Sequence, residues 1–155
     1  MKGNKRFADN LDVLKDIYEK RMPFNRLLDI EIIRLELEEV QVRIDMRQEL
    51  IGNFVREILH GGAISSVLDL TGGLIVSVKL LKQLENENDE EIARCMARLG
   101  TIDLRVDYLR AGKGEYFIAS GSLLRQGNRV AVTRTELHND KKLLIAAGTS
   151  TYQIG

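Results

Sequence analysis

A single carboxylate lies in the middle of an apolar stretch of this chain. From His60 to Val78 the sequence reads HGGAISSVLDLTGGLIVSV, and Asp69 is the only acidic or basic side chain after His60. The run of small and aliphatic residues predicts a helix that is buried by its surroundings. A buried charge is costly unless it is paired or hydrogen-bonded. Asp69 therefore either has a structural partner or serves chemistry in a hydrated cavity.

Two glycines lie at the predicted start of this helix. Gly61 and Gly62 leave the first backbone amides without a neighbouring Cβ, at the end where the helix dipole is positive. Such amides can hold an anion, or the oxyanion that develops when a carbonyl is attacked. A plain glycine turn before a helix has the same composition, so the glycines indicate chemistry only in combination with Asp69.

The spacing of these features has a consequence for assembly. Asp69 follows Gly61 by eight residues, which places it about 12 Å further along a helix that rises 1.5 Å per residue. One small reacting group cannot touch both. If both are catalytic, the amide comes from one copy of the helix and the carboxylate from another, which requires two antiparallel helices about a twofold axis. On that condition we expect a homodimer with two composite sites.

Composition limits the class of protein. The 155 residues suffice for one domain with its own core, and no linker-like segment divides them, so we expect a single domain over residues 1–155. Lys plus Arg and Asp plus Glu are both 23, which gives no reason to expect nucleic acid or an anionic membrane surface as partners. A lone Cys95 and a polar first segment favour a cytoplasmic protein. Four glycines and the central Asp69 argue against a membrane-spanning helix.

Periodicity predicts the elements before and around the central helix. Apolar residues at helical spacing predict an amphipathic helix over residues 4–22, capped by Asn4 and ended by Pro23. Residues 48–59 lack a clean period and predict a loop, and the central helix should run from about 61 to 84. Between residues 27 and 47 the period is two, which predicts a hairpin whose buried face carries Ile33, Leu35, Leu37, Val40, Val42, Ile44 and Met46.

The second half of the chain predicts a short helix and four strands. An acidic connection at residues 85–91 precedes a short amphipathic helix, and strands are expected over 101–108, 115–125, 129–137 and 143–152. In the first of these strands we expect one face to carry Ile102, Leu104, Val106 and Tyr108. A twisted antiparallel sheet wrapped around one apolar helix buries all of these faces, so the predicted class is α+β.

This pattern resembles the hotdog-fold acyl-CoA thioesterases of the PaaI-like group. The resemblance rests on His60-Gly61-Gly62 followed by Asp69, on TIDLRVDYL at 101–109 and on LRQGNRVA at 124–131, and it covers about residues 25–154. It implies a curved antiparallel sheet around a long helix, with the site between the subunits of a homodimer or dimer of dimers. It further implies hydrolysis of an acyl-CoA to free acid and CoA. No metal and no cofactor other than the CoA of the substrate is expected.

The resemblance also implies roles for individual residues. The Gly61 amide would polarise the thioester carbonyl, and Asp69 of the opposite subunit would act as general base or nucleophile. His60 would lie beside the carbonyl or hold the loop there, and Thr101 would hold the attacking water. Related sequences often carry an Asn six residues before the His, where this chain has Phe54, so Asn53 could serve only if a one-residue bulge delivered it.

Several residues are candidates for binding the substrate. Gly62 is one, and the CoA phosphates need cations, for which the strand-end candidates are Arg110, Lys113, Arg125 and Arg129.

Two other functions are compatible with the fold. A non-catalytic acyl-CoA-binding or regulatory hotdog protein would keep the pocket without needing Asp69. A hotdog dehydratase would pair a His with a different acid motif. The acyl group and the choice between CoA and an acyl carrier protein stay open.

Overall fold

The computed structural model describes the backbone of residues 2–155 and the side chains from Lys5 onward. Its helices are α1 (Lys2–Asp16), α2 (Pro23–Leu28), α3 (Gly61–Gln83) and α4 (Asp89–Met96), with a π-helical turn at Ile17–Arg21 and a 3₁₀ turn at Gln48–Leu50. Its strands are β1 (Glu31–Leu35), β2 (Val40–Asp45), β3 (Ile51–Asn53), β4 (Ile58–Leu59), β5 (Gly100–Tyr108), β6 (Tyr116–Gln126), β7 (Val130–Asn139) and β8 (Leu144–Gln153).

Six of the strands form one antiparallel sheet around α3. The strand order is β1-β2-β6-β7-β8-β5, so β1 and β5 are the edge strands, and β3 pairs with β4 in a separate short hairpin. Helix α3 contacts β2, β5, β6, β7 and β8, and α1 packs against its other side. The predicted α+β architecture, a sheet wrapped around a long central helix, is confirmed.

Helix α3 lies in the core, between the sheet and α1, because its sequence is apolar. Val67, Leu68, Leu74, Ile75 and Val78 are completely buried, because the sheet and α1 cover them from different directions. The helix is long and apolar enough to cross a membrane, yet most of its apolar stretch lies inside the fold. Its observed bounds, Gly61–Gln83, agree with the predicted range to within one residue.

The N-terminal region differs from the single predicted helix. Helix α1 ends at Asp16 and the chain continues through the π-helical turn to Met22, which is extended, as expected for a residue before proline. Pro23 does end this helical segment, but it also begins α2, an element that was not predicted, since proline suits the first helical position. Helix α1 begins at Lys2, and the predicted cap by the Asn4 side chain lies outside the described residues.

Two strands depart from regular alternation, and the buried faces predicted for them are wrong at Ile33 in β1 and at Ile102 in β5; Tyr108, at the end of the face predicted for β5, is also exposed. In β1 the register with β2 shifts between Ile32 and Arg34, so Ile32 is buried and Ile33 is 42% exposed. In β5 the register with β8 shifts between Thr101 and Asp103, and the extra residue, Ile102, is 57% exposed. An inserted residue reverses the facing of every side chain beyond it. The predicted loop at 48–59 also contains the β3–β4 hairpin.

Candidate active site

Asp69 accepts hydrogen bonds from two side chains of the sheet. The Thr101 hydroxyl donates to Asp69 Oδ1 at 2.9 Å, and the Tyr152 hydroxyl lies 3.1 Å from the same oxygen and 2.6 Å from the Asp69 backbone carbonyl. Asp69 is half-buried and lines a cavity. Among residues 5–155, Asp69 Oδ2 has no hydrogen-bond donor, which leaves this oxygen available to a substrate or a water molecule.

The shift in β5 is what turns Thr101 towards Asp69. Thr101 pairs with Tyr152 and Leu104 pairs with Ser150, so the residues on the inner face of β5 are Thr101 and then Leu104 and Val106. Without the extra residue, a side chain two positions before Asp103 would share its outward face. The resemblance placed Thr101 at the site, but simple alternation had put it on the opposite face from Leu104.

Tyr152 reaches Asp69 across a glycine of α3. A Cβ on Gly72 would overlap the Tyr152 hydroxyl and would lie 2.8 Å from the Thr133 hydroxyl, so only glycine permits this approach. Tyr152 is 1% exposed, and this burial, together with the charge of Asp69, raises the pKa of its hydroxyl. The hydroxyl is therefore protonated at neutral pH and can donate a hydrogen bond.

His60 caps the start of α3. Its Nδ1 accepts the Gly62 amide hydrogen at 2.8 Å, so the Gly62 amide is already engaged. The Gly61 amide has no acceptor within the described part of the chain, whereas the Gly61 carbonyl accepts from the Tyr108 hydroxyl at 3.0 Å. Of the two predicted glycines, Gly61 thus presents a free donor at the positive end of the helix.

The β3–β4 hairpin lies against this helix start. Gly52 packs so closely on His60 that an added Cβ would lie 2.8 Å from the His60 Cα. The register of β3 shifts between Ile51 and Asn53, so β3 carries one extra residue next to Asn53. The exposed Asn53 side chain accepts from the Arg56 amide at 3.1 Å and so holds the turn between β3 and β4.

The four predicted cations lie at two different ends of the sheet. Arg110 and Lys113 follow β5, and the segment that holds them is tied to the residue before His60 by the Leu59 amide, which donates to the Gly112 carbonyl at 2.9 Å. Arg110 also donates to the Leu144 carbonyl. Arg125 and Arg129 flank the β6–β7 turn, where the Gln126 side chain donates to Gln83 at the other end of α3. One chain therefore does not gather them into a single cluster.

An apolar cavity of about 640 Å³ extends from Asp69 between α1, α3 and α4. Its floor is a stripe of α3 with four-residue spacing, formed by Asp69, Gly73, Ser77 and Leu81. Its other walls are mainly the apolar side chains Leu14, Ile17, Ile92, Met96 and Leu99, together with Tyr18. The volume is typical of a small-molecule site, and the carboxylate stands at one end of a mostly apolar space.

Sequence reasoning missed Tyr152 and the role of the second glycine pair. Gly72 and Gly73 follow Asp69 by about one helical turn, and glycine within a helix interior usually marks a close approach. That signal was present in the sequence. The identity of the approaching residue was not, because Tyr152 belongs to β8, which is 83 residues away along the chain.

Comparison with known proteins agrees with this architecture. Residues 57–146 match the Thioesterase superfamily. The chain is 46% identical to the medium/long-chain acyl-CoA thioesterase YigI of Escherichia coli (strain K12), and the alignment covers 94% of each chain. The protein of the same name from Salmonella typhimurium is 44% identical over 94% of each chain. A crystal structure from Shewanella oneidensis, of a protein related to the thioesterase superfamily, superimposes with a TM-score of 0.91 at 44% identity and covers 96% of this chain and 97% of that one.

Proposed function

Since this chain belongs to the thioesterase superfamily, we propose that it hydrolyses medium- or long-chain acyl-CoA thioesters to the free acid and CoA. The observation that carries the proposal is the position of Asp69, whose Oδ2 is free of protein donors within residues 5–155, at one end of an apolar cavity of about 640 Å³. A fatty acyl group needs such a cavity, and its thioester needs a reacting group at one end.

The acyl chain would lie along the α3 stripe. Leu81 follows Asp69 by twelve residues, which corresponds to about 18 Å at the rise of an α-helix. Gly73 and Ser77, the residues between them on this face, are small and leave room beside the helix. Burial of apolar surface would contribute most of the binding free energy, and it grows with the number of methylene groups buried. This length supports medium or long chains over short ones.

The reaction would need an oxyanion donor and a base. The free Gly61 amide would polarise the thioester carbonyl, and Asp69 Oδ2 would either take a proton from the attacking water or attack the carbonyl carbon itself. The carbon–sulfur bond then breaks, and the CoA thiolate leaves and takes up a proton. If water attacks, the acyl group leaves directly as the acid. If Asp69 attacks, the acyl group is bonded to its carboxylate as an anhydride, and a water molecule must hydrolyse this bond to release the acid and restore Asp69. Thr101 would assist by fixing the carboxylate.

Gly61 and Asp69 are separated by the length of two helical turns, so the proposed site needs two subunits. The Gly61 amide of one protomer would act with Asp69 of its partner, across antiparallel α3 helices. β5, at the edge of the six-stranded sheet, has an unpaired side and carries the exposed apolar residues Ile102 and Tyr108. Pairing of β5 with a second copy would satisfy the backbone groups of this edge. We therefore propose a homodimer with two composite sites, which can associate further.

The cations near Gly61 are proposed to bind the CoA phosphates. Arg110 and Lys113 lie in the segment tied to the start of α3, whereas Arg125 and Arg129 lie at the other end of that helix. Lys113→Gln is expected to raise KM for an acyl-CoA several-fold at low salt and less at high salt, because salt screens exposed charges. Arg125→Gln is the matched comparison. A larger effect of Arg125→Gln would move the phosphate site to the other end.

Asp69→Asn tests the proposed function directly. We expect the variant to stay folded and to keep its oligomeric state, while thiol release from a panel of short, medium, long and aromatic acyl-CoAs falls by about 100-fold or more, as for loss of a general base. Asp103→Asn removes an exposed carboxylate from the same neighbourhood of β5 and should leave the rate unchanged. Near wild-type turnover by Asp69→Asn would refute the assignment. Wild-type protein that binds acyl-CoA but releases no thiol would instead be a binding protein.

A further inference from the structure

We propose that Tyr152 is a positioning residue for the reaction. Together with Thr101 it holds Oδ1 of Asp69, so that Oδ2 is the oxygen that meets the water or the thioester. The inference rests on the proposed role of Asp69 and adds a residue that neither the motif nor the spacing of the chain indicates.

The geometry around Asp69 is that of a clamp. Tyr152 reaches both the backbone carbonyl of Asp69 at 2.6 Å and its Oδ1 at 3.1 Å, and Thr101 reaches Oδ1 at 2.9 Å from the neighbouring strand. The Tyr152 hydroxyl has one proton, which it shares between the Asp69 backbone carbonyl and Oδ1. Together with the Thr101 hydroxyl, this contact restrains the side-chain torsions of Asp69. A carboxylate on a helix would otherwise be free to change rotamer, and this restraint lowers the entropy cost of reaching the reactive geometry.

The clamp depends on a close approach between helix and sheet. Gly72 lies directly under the Tyr152 hydroxyl, and any side chain there would displace it. A glycine in the middle of a 23-residue helix costs stability relative to alanine. Glycine at position 72 nevertheless allows Tyr152 to reach Asp69. The presence of a destabilising residue at this point of the helix is a second reason to regard the contact as functional.

The Tyr152 hydroxyl acts as a donor to Asp69. Burial raises the pKa of this hydroxyl and keeps it protonated, so it can donate to the carboxylate. Without this donor, the Asp69 side chain would adopt several rotamers. The reaction would then slow in proportion to the lost population of the correct conformer.

Tyr152→Phe tests the clamp, because it keeps the ring and removes the hydroxyl that contacts both the backbone carbonyl and Oδ1 of Asp69. With dodecanoyl-CoA as substrate, we expect kcat to fall about ten- to a hundredfold, the factor typical of one lost hydrogen bond to a charged group. KM should stay within about twofold, since the ring still fills its site. The loss should therefore appear in kcat rather than in KM. Tyr116→Phe removes a tyrosine hydroxyl that does not line the cavity, and it should leave kcat at its wild-type value.

A second variant covers the case in which Tyr152→Phe folds poorly. Site-specific fluorotyrosine at position 152 keeps the shape and the hydroxyl but makes the hydroxyl a stronger donor. It should therefore keep kcat at or above the wild-type value. A kcat well below wild type in this folded variant would refute the clamp, because the donor is still present.

The outcomes separate the two proposals. If Asp69→Asn loses turnover while Tyr152→Phe keeps the wild-type kcat, the clamp is refuted and the proposed hydrolysis stands. If Asp69→Asn retains turnover, the role of Asp69 is refuted, and the clamp falls with it. Loss of turnover in Asp69→Asn, together with a lower kcat in Tyr152→Phe and a retained kcat with fluorotyrosine at position 152, supports both.

Discussion

Thr101 and Tyr152 face each other directly across the β5–β8 pair, and their hydroxyls meet at one oxygen of Asp69. Side chains of paired residues in antiparallel strands point to the same face of the sheet. The Tyr152 hydroxyl also bonds to the helix backbone, whereas the Thr101 hydroxyl bonds, among the described residues, to the carboxylate alone. Loss of the Thr101 hydroxyl should therefore reduce turnover without a change in stability. Loss of the Tyr152 hydroxyl should reduce turnover and also weaken the packing of α3.

Replacing Thr101 should separate its hydroxyl from its shape. Thr101→Val keeps the volume and the β-branch but removes the donor to Asp69 Oδ1, so we expect kcat to fall about tenfold, as for loss of one hydrogen bond to a charge. Thr101→Ser keeps the donor and should keep most of the rate. Steady-state thiol release at saturating acyl-CoA measures both variants. Equal rates for Thr101→Val and wild type would show that the contact with Asp69 does not contribute to turnover.

The glycine pair of α3 offers a matched test of the cavity. A Cβ at Gly73 meets the Tyr18 hydroxyl at 3.4 Å and the Tyr152 ring at 3.7 Å, which are ordinary contacts, and it projects into the cavity beside Asp69. Gly73→Ala should keep or raise stability by up to about 1 kcal/mol through helix propensity. It should lower kcat/KM for long acyl-CoAs more than for acetyl-CoA, because only long chains extend past residue 73.

Gly72→Ala, one residue earlier, is expected to behave differently. Its Cβ overlaps the Tyr152 hydroxyl, so overpacking should destabilise the fold by about 1–3 kcal/mol and reduce turnover for every chain length. Denaturant unfolding and the acyl-CoA panel measure the two effects. A uniform loss across chain lengths in Gly73→Ala would mean that the acyl chain does not occupy this cavity.

The buried Tyr18 hydroxyl should make the protein less stable at alkaline pH. Burial raises the pKa of Tyr18 to about 12, against 10.0 for the exposed side chain. Because the pKa is raised in the folded state, the stabilising contribution is complete below pH 10 and is lost as the pH rises from 10 towards 12. The free energy of unfolding should fall by up to about 1.4 kcal/mol per pH unit from this group in that interval.

Tyr18→Phe isolates this contribution from the other groups that titrate at high pH. The difference in unfolding free energy between wild type and Tyr18→Phe, measured by denaturant unfolding on both sides of pH 10, should change with pH in the stated direction. A difference that is constant with pH would show that Tyr18 ionises in the native protein as freely as in the unfolded chain.

The sequence predicted the architecture because hydrophobic period and turn composition specify it. The long run after Gly61 corresponds to α3, and the alternation in residues 40–46 corresponds to β2. The gap between the strands predicted over 115–125 and 129–137 corresponds to the β6–β7 turn. Short elements were harder to predict. Helix α2 has six residues, and the strands β3 and β4 have three and two. Elements this short are stabilised by tertiary contacts and show no repeating hydrophobic pattern.

The sequence also predicted part of the site. Asp69 is the one charged residue in an apolar run, and Gly61 lies in a glycine pair where that run begins, so both can be recognised from the local sequence. Tyr152 and the cavity between α1, α3 and α4 arise from contacts between distant segments, which no local pattern encodes. The register shifts at Ile33 and Ile102 have no marker in the sequence either, because isoleucine suits a buried and a half-exposed strand position equally.

Neighbouring isoleucines in β1 test the first of these register shifts. Ile32 is 2% exposed and Ile33 is 42% exposed, although a regular strand would bury Ile33 on the same face as Leu35. Ile32→Ala should lower the free energy of unfolding by about 2–5 kcal/mol, because it leaves a cavity in the core. Ile33→Ala should change it by about 0.5 kcal/mol or less, as for most exposed sites. Denaturant unfolding of the two variants under identical conditions gives the comparison, and the reverse order of stability would mean that β1 pairs with β2 in a regular register.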